Sequence, residues 1–188
     1  MEAFLISILV VAASEIGDKT QLLALILATR FQRPVPIILG ILVATLTNHT
    51  LAALVGEWVR TRLPSEYLRW GLGFSFLAIA VWALVPDRID DKARELGRYG
   101  VFLATAAAFF LAEMGDKTQV ATVMLAAKYH RMPLVVAGTT LGMMLADVPA
   151  VLFGKAAAQK MPLGAVRYGA AAIFALLGLG ALLGFAAP

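Results

Sequence analysis

No cysteine occurs among the 188 residues. That removes disulfides, cysteine-ligated zinc, iron–sulfur clusters and thiol catalysis together. Charge is scarce as well, at 15% of residues, against about a quarter in an ordinary soluble domain. No His-Glu-x-x-His pattern is present, which sets aside a metalloprotease of that type. The amino terminus, Met-Glu-Ala-Phe, lacks a basic segment before a short apolar core, so it is not read as a removable signal. What fills the chain instead is apolar: 61% hydrophobic residues, in long runs. The net charge of +4 is scattered over short links, a pattern that suits membrane topology and gives no reason to expect nucleic acid.

About 20 apolar residues span the hydrocarbon of a bilayer. Six stretches meet or approach that length: Phe4–Ala28, Val35–Trp58, Leu68–Val85, Val101–Ala127, Pro133–Phe153 and Val166–Phe185. Helix is the expected form, because isolated strands cannot satisfy their backbone in lipid. The fold class read here is therefore an all-α polytopic membrane protein of six transmembrane helices. The whole chain, 1–188, forms one transmembrane domain in the lipid bilayer, with residues 1–86 and 99–188 as three-helix halves and 87–98 as a connecting loop. Odd-numbered links carry Arg30, Arg33, Arg88, Lys92, Arg94, Arg98, Lys155, Lys160 and Arg167, whereas even-numbered links carry Arg60, Arg62, Arg69, Lys128 and Arg131. The excess puts the odd links in the cytoplasm and both termini outside it.

The chain is written twice. At an offset of 98 residues, Glu15-Ile-Gly-Asp-Lys-Thr-Gln21 falls on Glu113-Met-Gly-Asp-Lys-Thr-Gln119, without a gap. Arg33, Gly40, Gly56, Pro64, Gly71 and Phe76 then fall on Arg131, Gly138, Gly154, Pro162, Gly169 and Phe174. Three spans per copy is an odd number, so the second copy enters the membrane upside down. A 3+3 inverted repeat of this kind is common among secondary transporters, which bind their ligand where the repeats meet. Packing alone would repeat small and apolar residues, and gives no reason to repeat two carboxylates.

Glu15 lies roughly 16 Å along a helix entering a ~30 Å core, and Glu113 is equally central. On a continuous helix, Glu15 and Asp18 share one face, as do Glu113 and Asp116. A charged acid at this depth costs about 2.5–3.5 kcal/mol even on lenient scales, so all four must face the interior and hold protons, cations or basic partners. Gly17 and Gly115, between the acids, permit a helix break that frees backbone groups. Thr20, Gln21, Thr118 and Gln119 add oxygen donors one turn on, and such donors suit hard or borderline ions such as Ca²⁺ and Mn²⁺. Lys19 and Lys117 either snorkel or pair with a neighbouring acid, or balance charge: four carboxylates and two ammonium groups match one divalent cation. Asn48 and His49, with Asp147 at the position matching His49, form a further polar set, read as an extra ligand or a proton relay.

The doubled Glu-x-Gly-Asp-Lys-Thr motif, each copy in the first helix of a three-helix repeat, resembles the Golgi-type calcium/manganese–proton exchanger family. The small size and bare loops resemble its bacterial manganese-exporting branch. The resemblance implies a multi-pass protein of the bacterial plasma (inner) membrane that moves Mn²⁺, and in some members Ca²⁺, out of the cytoplasm. It also carries the family's binding acids onto Glu15, Asp18, Glu113 and Asp116, with Thr20, Gln21, Thr118 and Gln119 beside them. The expected partners are a divalent cation and a counter-transported proton. The cation is cargo, and no permanently bound cofactor or enzymatic activity is expected. A channel built on the same acids would dissipate gradients without coupling. An intramembrane aspartyl protease would need Gly-x-Gly-Asp, where this chain has Glu-x-Gly-Asp. Oxygen donors alone do not decide between Mn²⁺ and Ca²⁺, or between a chain working singly and a homodimer.

Overall fold

The structure is a computed structural model that describes residues 1–85, 100–158 and 163–184. The expected connecting loop at 87–98 lies outside the described residues. So do Lys160 and Pro162, together with the side chains of Gly154, Lys155 and Arg167.

The described residues form eight α-helices: α1 (Glu2–Glu15), α2 (Lys19–Phe31), α3 (Pro34–Arg62), α4 (Ser65–Ala83), α5 (Val101–Glu113), α6 (Lys117–Tyr129), α7 (Met132–Ala158) and α8 (Leu163–Leu182). The first and fourth apolar stretches are therefore each split in two. The cause is local. Gly17 has φ 84° and Gly115 φ 76°, values that an L side chain rarely adopts and that cannot continue a right-handed helix. Glu15 consequently ends α1 while Asp18 precedes α2, and Glu113 and Asp116 are divided in the same way. The expectation that each acid pair shares one face of an unbroken helix is corrected by this break. Among the described residues, only α3 and the Met132–Phe153 part of α7 are, as single helices, long and apolar enough to cross a membrane.

The halves match in detail. The helix following each break ends on a residue in the left-handed region, Gln32 (φ 53°) after α2 and His130 (φ 46°) after α6. Proline at the start of α3 follows directly, where its missing N–H leaves no intrahelical bond unmade.

Packing crosses between the halves. Helix α1 lies against α7, and α5 lies in the corresponding way against α3, while α4 packs on α8. Two glycines set the approach. A Cβ on Gly40 would sit 2.8 Å from both the Phe102 carbonyl oxygen and Thr105 Cβ, and one on Gly138 would sit 2.5 Å from the Phe4 carbonyl oxygen and 2.8 Å from Ser7 Cβ. Phe4 and Ser7 stand 98 residues before Phe102 and Thr105, so each half makes the same notch for the other. Because the crowding atom is backbone, Gly138→Val should destabilise the fold by about 1–3 kcal/mol, read as a fall in unfolding temperature in detergent. An unchanged midpoint would show that α1 and α7 have room to separate.

One apolar cluster joins Leu72, Phe76 and Ile79 of α4 to Phe174 of α8 and Leu125 of α6, with the matched rings of Phe76 and Phe174 6.1 Å apart. A second joins Leu23 and Leu27 of α2 to Ile37 and Ile41 of α3, Phe109 of α5 and Val151 of α7. At the rim, Tyr129 donates to Glu2 at 3.3 Å, tying α6 to the start of α1. Burial and the facing carboxylate push the Tyr129 phenol up to about 12, so it stays a neutral donor at physiological pH. The distribution of polarity is the reverse of a water-soluble domain. Leu5, Leu9, Phe74, Val81, Leu145 and Leu152 are exposed, while Glu15, Asp18, Asn48, His49, Glu113, Asp116 and Asp147 are buried.

Candidate functional site

The two helix breaks are built by the same bonds. After Glu15 closes α1, the Asp18 N–H donates to the Glu15 carbonyl at 3.0 Å, and the Asp116 N–H donates to that of Glu113 at 3.2 Å. The glycine amide inside each turn has lost its helical acceptor, and a glutamine one turn on replaces it. Gln21 Oε1 accepts from the Gly17 N–H at 2.9 Å and Gln119 Oε1 from the Gly115 N–H at 2.7 Å. Gln21 also donates to the Ala146 carbonyl on α7 at 3.0 Å, which ties the first break to the opposite half.

The threonines serve the glutamates. Thr20 Oγ1 donates to Glu15 Oε2 at 2.5 Å and Thr118 Oγ1 to Glu113 Oε2 at 2.9 Å. Each bond reaches back across the break and sets the carboxylate's direction. Both glutamate side chains are fully buried, and the second oxygen of each, Oε1, accepts no hydrogen bond among the described residues.

The aspartates are engaged across the halves. Lys19 Nζ lies 3.0 Å from Asp116 Oδ2, and Lys117 Nζ lies 2.9 Å from Asp18 Oδ1. Each lysine passes over the aspartate beside it in sequence and pairs with the aspartate of the other copy. Asp116 Oδ1 additionally accepts from the Lys117 N–H at 2.6 Å, capping α6. With ammonium groups on both aspartates, no three acidic or histidine side chains are disposed to hold one ion among the described residues.

Asp147 on α7 is fully buried within electrostatic reach of both Glu15 and Glu113, and neither of its oxygens has a hydrogen-bond partner among the described residues. It therefore joins the motif acids. His49, its counterpart on α3, is equally buried, and both ring nitrogens lack a partner among the described residues. Asn48 donates to the Phe110 carbonyl on α5 at 3.0 Å and leaves its own oxygen unpaired. The buried hydroxyls of Ser7, Thr45 and Thr140 also lack a partner among the described residues. Sequence reading did not single them out, because most hydroxyls on apolar helices bond back to a carbonyl one turn earlier, as Thr47 does here. So many orphaned acceptors in one interior call for water, protons or a cation.

The comparisons with known proteins bear on this arrangement. The family model described as "Divalent cation/proton antiporter GDT1" matches residues 3–91 and 101–187, the two halves of the chain. A protein of Vibrio cholerae named "Putative manganese exporter" is 51% identical over 180 residues, covering 95% of this chain and 90% of the relative. The "GDT1-like protein sll0615" of Synechocystis is 29% identical over 182 residues, covering 86% of this chain and 87% of the relative. "GDT1-like protein 5" of Arabidopsis thaliana is 26% identical over 221 residues, covering 97% and 96%. No solved structure matches.

Proposed function

Because the chain belongs to the GDT1 family of divalent cation/proton antiporters, we propose that it exports a divalent cation, Mn²⁺ ahead of Ca²⁺, across the bacterial plasma (inner) membrane in exchange for protons. The preference for Mn²⁺ draws on the name carried by the Vibrio cholerae relative. The cation is cargo, and the chain is neither an enzyme nor a holder of a permanent cofactor.

In this reading α1 with α2, and α5 with α6, each make one broken crossing, so that with α3, α4, α7 and α8 the chain crosses six times as a 3+3 inverted repeat. The exchanged glycine notches and the outward-facing apolar side chains support it. The excess of basic residues on the odd links supports placing both termini outside the cytoplasm.

One observation carries the site: the two breaks bring the acids of opposite halves into a single buried polar region, linked by crossed ion pairs. Glu15, Asp18, Glu113 and Asp116 supply the oxygen donors for the cation, joined by Asp147. Thr20 and Thr118 aim the glutamates, and Gln21 and Gln119 hold the breaks open. His49 and Asn48 lie on the matching helix as a polar way in for protons. Metal and protons compete for the same oxygens, so one site that cannot hold both couples their opposite flows.

Alternating access requires two arrangements related by exchanging the halves. Unequal packing of the two halves supports this reading. Helix α4 lies on α6 and α1 on α8, whereas the counterpart pairs, α8 with α2 and α5 with α4, make little or no contact among the described residues. The second state is the one in which those contacts are traded.

Purified protein in sealed vesicles tests the reading. Mn²⁺ movement should follow an imposed proton gradient, reverse with it, and alkalinise the compartment that the metal enters. Mn²⁺ flux that ignores the proton gradient would refute coupling and leave a passive route or another counter-ion.

A further inference from the structure

We propose that the crossed ion pairs Lys19–Asp116 and Lys117–Asp18 are a latch between the two halves, opened when one divalent cation takes the aspartate oxygens from the two ammonium groups. The inference rests on the antiport reading and names how its site is regulated. Each pair joins a residue beside one helix break to a residue beside the other, at 3.0 and 2.9 Å. Both aspartate side chains are fully buried, and the lysine side chains are 22% and 5% exposed, so water screens these contacts little. Sliding one half past the other with the lysines in place would pull two buried ion pairs apart, which is the expensive way to break them.

A divalent cation removes that obstacle by matching the positive charge that the two aspartates give up. Two aspartates that faced two single positive charges then face one double charge. Lys19 already lies within electrostatic reach of Glu113 and Asp18, which can receive it once it leaves Asp116. A monovalent ion carries half the charge and can satisfy only one aspartate, leaving the other tie closed. The latch therefore selects for divalent cargo in addition to whatever the oxygen donors select.

Its second consequence is coupling. An antiporter that reorients without cargo dissipates the gradient it serves. With both ties closed, the two halves are held in register and that idle return is blocked.

The test uses the full chain in vesicles loaded with Mn²⁺, with a proton gradient imposed so that the wild-type protein holds its metal gradient steady. The doubly neutralised chain, Lys19→Gln with Lys117→Gln, should lose the metal gradient at least about tenfold faster, the rate equivalent of a barrier lowered by ~1.4 kcal/mol. A matched pair, Lys19→Arg with Lys117→Arg, keeps both positive charges and should hold the gradient. Increased leak is a gain that an unfolded chain cannot produce. Should the doubly neutralised chain fail to elute as a single species, either single variant makes the same comparison, and Lys117→Gln, which cuts the drier tie, should leak more than Lys19→Gln. A monodisperse Gln variant that holds the gradient as well as wild type overturns the latch. Wild-type protein that cannot hold a metal gradient against protons at all overturns the antiport reading instead.

Discussion

Replacing Glu15 or Glu113 by glutamine should lower Mn²⁺ transport by ~100-fold or more while leaving the protein as stable as before, or more so. Losing even a group that supports a metal ligand typically costs about 10–100-fold in metal affinity or activity, and a ligand itself should cost no less. Glutamine keeps the shape of the side chain and an oxygen for the hydroxyl of Thr20 or Thr118. What it removes is the ability to carry charge in a buried place where one carboxylate oxygen accepts no hydrogen bond among the described residues. A group retained against stability is the signature of a working site. Metal uptake into vesicles and unfolding temperature in detergent, measured on the same preparations, should move apart. Wild-type transport by both variants would remove the glutamates from the site.

The helix breaks should be as sensitive. Gly115→Val should abolish transport and destabilise the fold by about 1–3 kcal/mol, as an L residue forced into a sparsely populated conformation does. Crowding cannot be the reason, because a Cβ built on Gly115 meets nothing within 4 Å. The backbone is, since φ is 76° there. A β-branched residue relieves the strain by returning the segment toward continuous helix, which swings Asp116 away from Lys19. Gly115→Asn separates the two explanations. Asparagine tolerates the left-handed region far better than valine, so it should retain most of the transport that valine loses. Equal loss in both would mean that bulk, not backbone conformation, is what the position excludes. Gly17, with φ 84°, should show the same order.

How much of this was legible beforehand differs from residue to residue. The duplication and the buried acids were plain, because six matches in seven residues at a constant offset need no structure and ionisable groups in apolar runs are rare. The glycines pointed to a break at the right place. Its completeness was not readable, since glycine inside a helix is often simply tolerated, and the shared-face arrangement of Glu15 and Asp18 depended on a helix that does not continue. Nor were the crossed ion pairs. Lys19 adjoins Asp18 in sequence, and nothing local says that it pairs with Asp116 instead. That choice belongs to the packing of two segments 98 residues apart. That the oxygens of Gln21 and Gln119 also bond the glycine amides was not legible either. The identical spacing from glycine to glutamine in both copies was the available hint.

The exchanged notches also say something about how the molecule comes into being. Gly40 leaves the ribosome 62 residues before Phe102, the carbonyl it must lie against. At about 5–20 residues per second that is a wait of roughly 3–12 s. During it the first half stands with that notch unfilled, and it is finished only by a segment of the other half. Biogenesis is thus a single event shared by both halves, and a chain cut between them should yield two fragments that mature only when made together.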